Sequence, residues 1–566
     1  MNCLRFMEAS GPRDSTTAPA SFAGALDWAL AAVLALAVLV YLVGVDVRLS
    51  GVTVRSHSAA RVLAGAVALF LVRQRFGIAS YPAWLTRIAL LTLICGSVES
   101  WLRFLLSTIG GADSYGYVSA SRMIAEGRLI EPAPVAQWLS TANRMALVSP
   151  LGWTPSPDGI GIAPTFPIGV SAVMALFSLI GGPSAVFFVA PVMGAITLLL
   201  VYRLARAWFD AETALFASAM VAWNPLFITY AKQPMSDMAA TMWVTLALLL
   251  AVRSSNASAF CAGLAAGAAV ITRPALLLAA AVIPIAAHRG ESPRRRLAMS
   301  AAGLSIGVLV QMAIQNHFFG SPFSTGYGAT AALFSLSHLG TNIRIFAQQG
   351  WIVLGPLFIP GLIIGLFAAR PEPRWKPAAI FVTVTLPYLF YLPFDHWETL
   401  RFLLPGLVPL TIVVADGLIH IARSPRKPAV TAAVVVAFMA IVAGRSEILL
   451  RKSSVWDVAT MEARYPLAGD WISVNTPPQS VVLANQHSGS LRWYGKRQTI
   501  RWDFIDPSNL LQIVQELQSH GGIVYVALEG DEVAMFDQRF AGVIDQLQVD
   551  HVGRVRNVSF RRLRKP

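Results

Sequence analysis

Residues 87–127 read RIALLTLICGSVESWLRFLLSTIGGADSYGYVSASRMIAEG. From Arg87 to Ile109 the stretch is oily, and long enough for an α-helix to cross about 30 Å of hydrocarbon. It then sets Asp113, Tyr115 and Tyr117 at the edge of that run and resumes an amphipathic pattern up to Gly127, the residue type that ends helices. A carboxylate at a membrane rim is held there against a solvation cost, so the residues that share its level bear on what it does.

The rest of the chain is of the same kind. Its 566 residues are 55% hydrophobic and only 13% charged, with mean hydropathy +0.59, far from the composition of soluble domains. Apolar windows fall at 26–46, 59–76, 85–109, 184–207, 212–231, 238–252, 257–272, 274–288, 297–319, 350–369, 377–394, 400–421 and 428–447. They predict a polytopic α-helical membrane protein with about thirteen transmembrane helices. The first window is longer than a signal-peptide core and is read as retained.

Sidedness follows from charge. Arg73 with Arg75, Arg203 with Arg206, Arg253, and the basic runs at 288–296, 370–376 and 423–427 all fall on one side if the spans alternate. The positive-inside rule makes that side the cytoplasm, in keeping with a cell inner (plasma) membrane, a cytoplasmic N-terminus and a periplasmic C-terminal part. The apolar run at 165–182 would break the alternation as a span, so it is expected to lie in the outer interface. The net charge of +14 sits largely in these loops and in the C-terminal tail, and calls for membrane lipid rather than nucleic acid as the partner. Cys3, Cys95 and Cys261 suggest neither a disulfide framework nor a thiolate metal site.

Four regions are expected. They are a cytoplasmic tail at 1–25, two additional helices within 26–84, a transmembrane core at 85–450 whose first outer loop is 110–183, and a soluble extracytoplasmic α/β domain at 451–566. In the last, SVVLAN, QTIRW and GIVYVAL alternate with helical patterns.

On this topology a second acid, Asp237 in KQPMSDMAATMW, joins Asp113 on the outer face. Each also suits a plain role, since Asp is a preferred helix N-cap and both open helical patterns. Cations gather at the same level: Arg273 in ITRPALLL, Arg401 in WETLRFLLPG, and Lys232 just before Asp237. Their plain role is snorkelling to the interface. Together, an acid able to take a proton and cations able to hold an anion suit a sugar joined to a polyprenyl phosphate. The lipid stays in the bilayer, the anomeric carbon reaches water, and negative charge grows on the departing phosphate.

The DSYGY after a span, the run PTFPIGVSAVMALFSLIGG, the spans that follow it, the acid in PMSD and the late LRFLLPGLVPL together resemble the GT-C membrane glycosyltransferases. The branch they resemble holds the protein O-mannosyltransferases and lipid A aminoarabinose transferases, a bacterial glycosyltransferase family 39-like group. The likeness covers roughly 85–450. It implies that Asp113 is the catalytic base, that Asp237 supports the site, and that Arg273, Arg401 and Lys232 hold the donor phosphate. Tyr115 and Tyr117 would shape the sugar or acceptor pocket. The chain departs from the pattern in placing Ser114, not a second acid, after Asp113.

The expected function is transfer of a sugar, with inversion, from a polyprenyl-phosphate donor to an envelope acceptor, which could be a lipid, a glycan or a protein. A flippase for lipid-linked glycans, or a scaffold, would be the alternatives. No cofactor is required; a divalent metal is allowed, although Asp395, His396 and Glu398 match no strong ligand motif and no metal residue is assigned. In ANQHSGSLRWYGKRQTIRWD, His487 and Arg492 are candidates to touch an acceptor or to be satisfied inside the domain.

Overall fold

The computed structural model describes residues 20–43, 45–49, 52–56, 66–67, 69–70, 73, 82–328, 333–367, 374–423 and 428–565. Among these, five helices are long and apolar enough to cross a bilayer: Ala83–Arg103, Pro183–Trp208, Pro293–Phe319, Trp397–Arg423 and Val430–Lys452. Two bent pairs, Ala211–Ala222 with Pro225–Ala231 and Leu336–Leu354 with Phe358–Phe367, raise the number to seven if each is one broken span. The windows at 238–252, 257–272 and 274–288 also fold as helices, but shorter ones, so thirteen spans are not reached by length and composition. The window at 59–76 and the tail at 1–25 lie largely outside the described residues.

Local chemistry explains the breaks. At the first bend, of 65°, the Asn224 side chain accepts from the N–H groups of Leu226 and Phe227, and Pro225 starts the next helix where no N–H is needed. At the second, of 96°, Gly355 adopts φ +73° and is followed by Pro356. The window at 350–369 therefore does not run straight, because proline removes a helical donor. The helix read as 85–109 ends at Arg103, and residues 104–110 carry no helix. There the backbone finds another partner: the Leu106 N–H donates to the Lys232 carbonyl at 2.9 Å. That bond lays the segment leading to Asp113 alongside the segment leading to Asp237.

The helix Trp397–Arg423 is the axis of the bundle, with 94% of its apolar window buried. Its regular part, Leu404–Arg423, packs on Phe358–Phe367, Trp375–Leu389, Ala211–Ala222 and Asp237–Ala251. Its first turn, carrying Arg401, is thereby placed inside the protein. The run at 165–182 forms only a 13-residue helix, Gly169–Gly181, which leaves Leu176, Leu179 and Ile180 exposed.

Beyond Lys452 the chain builds a five-stranded mixed sheet. The strands lie in the order Gln498–Ile500, Ser480–Ala484, Ile523–Glu529, Val558–Arg564 and Gln548–Val555. The first three are parallel and the last two antiparallel to their neighbours. Ser480–Ala484 is buried along its whole length, as expected of a strand covered on both faces.

Candidate active site

Each charged group of interest stands at a helix end. Asp113 is the first residue of the helix Asp113–Ala125, and Asp237 the first of Asp237–Ala251. Neither caps its helix, since no side-chain cap bond exists at either start. Both carboxylates nevertheless gain from the positive end of the helix dipole. Arg273 follows the last turn of Asn256–Thr272, and Arg401 lies in the 3-10 turn Trp397–Leu403.

These ends converge on a cavity of about 420 Å³ lined by Asp113, Tyr117, Asp237, Arg273 and Arg401 among others. The acids and cations pair off. Arg401 Nη2 donates to Asp113 Oδ2 at 2.8 Å, and Arg273 Nη2 lies 2.7 Å from Asp237 Oδ1. The first pair is partly open, with Asp113 30% exposed; the second is sealed, with Asp237 1% exposed. Arg273 and Arg401 both lie over the ring of Phe402, 5.7 and 5.2 Å from its centre, and Arg401 also lies over Tyr230. A planar, delocalised guanidinium can stack face-on against such rings while keeping its N–H donors for a carboxylate.

Ser236 links the pairs to the first loop. Its Oγ accepts from Arg273 Nε at 3.0 Å and shares a 3.0 Å hydrogen bond with the Tyr117 hydroxyl. Burial, reinforced by the Asp113 carboxylate, pushes the Tyr117 phenol up to about 12. It is therefore a neutral hydroxyl near pH 7. Tyr117 also packs on Phe166, 5.1 Å between ring centres, which carries the 165–168 segment into the cavity wall.

Two expected residues stand elsewhere. Lys232 is buried, donates to the Val455 carbonyl and faces the Trp456 ring, so it joins the bundle to the segment after Lys452 and does not line the cavity. Tyr115 is buried against Gly489, not turned into the cavity, because successive helical positions face different ways. His487 is fully buried, 3.0 Å from Glu529 Oε2, and Arg492 donates to the Val148 carbonyl and to Thr499. Both are satisfied internally.

Several lining residues escaped the sequence reading: Tyr327, Tyr388, Tyr391, Phe402 and Gln311. A signal existed for some, since YLFYLPF at 388–394 concentrates aromatics beside the Arg401 turn and Gln311 interrupts an apolar span. Among the described residues no group of three or more His, Cys, Asp or Glu could hold a metal. Asp395 accepts from Gln349, and His396 stands exposed 3.9 Å from Glu398. Both cavity carboxylates face guanidinium groups, a set that does not fit a divalent cation.

Comparison with solved structures identifies the fold. The apo crystal structure of ArnT from Cupriavidus metallidurans matches with a TM-score of 0.50 at 16% identity, covering 83% of this chain and 97% of its own. The oligosaccharyltransferase AglB from Archaeoglobus fulgidus, solved with an inhibitory peptide and a dolichol-phosphate, matches with a TM-score of 0.50 at 12% identity, over 82% of this chain and 73% of its own. The chain has the GT-C fold. Within this GT-C chain, residues 165–315 match the family described as dolichyl-phosphate-mannose-protein mannosyltransferase, a segment that contains Asp237 and Arg273. A comparison with curated proteins returns no match.

Proposed function

We propose that the chain is a membrane glycosyltransferase that moves a sugar from a polyprenyl-phosphate donor to a hydroxyl-bearing envelope acceptor on the outer face of the inner membrane. The supporting observation is the Asp113–Arg401 pair, one acid and one phosphate-type cation 2.8 Å apart in a cavity large enough for a sugar. AglB, which shares the fold, is solved with a dolichol-phosphate, a lipid phosphate of the required class.

In this scheme the acceptor oxygen bonds to the anomeric carbon from the face opposite the phosphate. The carbon–oxygen bond to phosphate breaks, the configuration inverts, and the acceptor proton passes to Asp113. Arg401 and Arg273 take up the charge that grows on the leaving phosphate, the kind of stabilisation that raises rate and not just affinity. The Asp113–Arg401 pair suits this sequence of events. A donor phosphate would compete with the Asp113 carboxylate for the same guanidinium and so free the carboxylate to serve the acceptor. Base and donor thus become ready together.

The flippase alternative gains nothing specific from the cavity, whose two acids, Asp113 and Asp237, stand together in one pocket. The test gives the purified full chain radiolabelled polyprenyl-phosphate sugars, mannose among them, with envelope extract as acceptor. Loss of transfer in Asp113→Asn with lipid binding kept supports the proposal. Equal turnover in wild type and Asp113→Asn overturns the base assignment. Movement of labelled lipid across vesicles with no transfer favours the flippase.

A further inference from the structure

The run ANQHSGSLR at 484–492 does not line the cavity, yet it reaches the turn that carries Asp113. Gly110 lies so close on the ring of Tyr465 that a Cβ there would stand 2.0 Å from Cδ2, and Gln486 Nε2 donates to the Tyr465 hydroxyl at 2.6 Å. Just before, the Ile109 N–H donates to the Tyr494 hydroxyl at 2.9 Å. Just after Asp113, the Tyr115 ring rests on Gly489, where an added Cβ would stand 2.3 Å from Cδ1. The neighbouring stretch is held too, since the Leu151 N–H donates to Ser488 Oγ and Leu147 O accepts from the Arg501 N–H.

The gripping residues are themselves fixed. The Gln486 N–H donates to Glu532 Oε1 at 3.0 Å, and His487 is held between Glu529 and Ser490. What they hold would otherwise be loose, because Gly110–Gly111 is a pair of glycines with Gly111 at φ +60°. Ser114 Oγ closes the turn locally by donating to the Gly110 carbonyl at 2.7 Å. Asp113 is left as the member of this turn whose side chain faces away, toward Arg401.

We infer that the α/β part of the chain beyond Lys452 positions the catalytic carboxylate: Tyr465 and Gly489 are positioning residues that fix the Gly110–Tyr115 turn, not part of an acceptor-binding surface. The inference rests on the assignment of Asp113 as base. Positioning of this kind matters because a displacement of about 1 Å at a reacting group can cost roughly 10²-fold in rate.

The test uses the full chain with the same labelled donors. Tyr465→Leu removes the ring beneath Gly110, and Gly489→Ala drives a methyl into Tyr115. Each is expected to lower kcat by about 10²-fold while KM for the donor and binding of unglycosylated polyprenyl phosphate stay at wild-type values. Tyr465→Phe, which keeps the ring, restores most of the rate. Added to Asp113→Asn, neither substitution lowers the residual turnover further, since a base that is absent cannot be misplaced. The inference is overturned if kcat is unchanged, if KM rises with kcat intact, or if the losses multiply in the Asp113→Asn background. If Gly489→Ala fails to fold, the Tyr465 pair decides alone. Full turnover in Asp113→Asn sinks the base assignment, whereas an inactive Asp113→Asn beside a fully active Tyr465→Leu sinks the positioning role only.

Discussion

Asp113 and Arg401, 288 residues apart along the chain, meet through a 2.8 Å hydrogen bond between Oδ2 and Nη2. Two helix starts from opposite ends of the core supply the partners, and the Phe402 and Tyr230 rings fix the guanidinium plane. For Arg401→Gln the expected result is a drop in kcat of about 10²- to 10³-fold, the scale seen when one charge-stabilising donor is removed. Binding of polyprenyl phosphate should weaken as well. Arg401→Lys should rescue binding better than rate, because an ammonium cannot stack and fork as guanidinium does. Steady-state kinetics with lipid-binding titrations check both, and unchanged lipid affinity in Arg401→Gln would remove the phosphate role.

The inner pair behaves differently. Asp237 and Arg273 are 1% and 11% exposed, so removing one partner strands a buried charge. Asp237→Asn is expected to cost about 3–5 kcal/mol of stability. The double variant Asp237→Asn with Arg273→Gln should cost less than the two single changes added together. Thermal unfolding in detergent, followed by a thiol-reactive dye, measures it; additive losses would mean that the two residues do not interact.

Tyr117 offers a pH test with a definite sign. Its phenol is pushed up to about 12 in the folded protein, against roughly 10 for an unperturbed tyrosine. The folded state therefore keeps its proton longer than the unfolded one, and this contribution to stability is complete below pH 10 and lost as pH rises toward 12. Tyr117→Phe should flatten that alkaline loss while leaving the activity profile between pH 6 and 9 without a new inflection. An inflection near neutrality that disappears in Tyr117→Phe would contradict the assigned protonation state.

Much of this site is legible in the sequence, for a physical reason. Charge is so costly in an apolar chain that Asp113, Asp237, Arg273 and Arg401 stand out from their neighbours, and the structure brings all four to one cavity. What cannot be read is contact. Lys232 has the same sequence signature as the arginines, but its ammonium is taken by the Val455 carbonyl, and only the path of the chain after Lys452 decides that. Tyr115 and Tyr117 look equivalent in DSYGY, yet a helix turns them to different partners. The fold divides likewise: apolar windows find the helices, whereas Asn224–Pro225 and Gly355–Pro356 bend runs that hydropathy treats as straight.

The C-terminal sheet carries its own acid sensitivity. Burial pushes the Glu529 carboxyl up, but His487, Asn557 and Arg464 outweigh burial and leave it below its ordinary value of 4.5. A carboxyl depressed on folding adds stability that is present above that ordinary value and disappears as pH falls through the lower folded one. Protection of the strand Ile523–Glu529 against hydrogen exchange, corrected for the intrinsic rate at each pH, should therefore fall on acidification below about pH 4.5, and less so in Glu529→Gln. Equal acid response in the two proteins would assign the effect elsewhere.

The Leu106–Lys232 backbone bond has a mechanical consequence. It joins the main-chain approach to Asp113 with the main-chain approach to Asp237, so the two helix starts share one backbone support. The same cavity is also lined by Gln311 and Phe318 of Pro293–Phe319, a helix with only 28% of its apolar window buried, so the shared backbone support of the two acids is bordered by a thinly covered element.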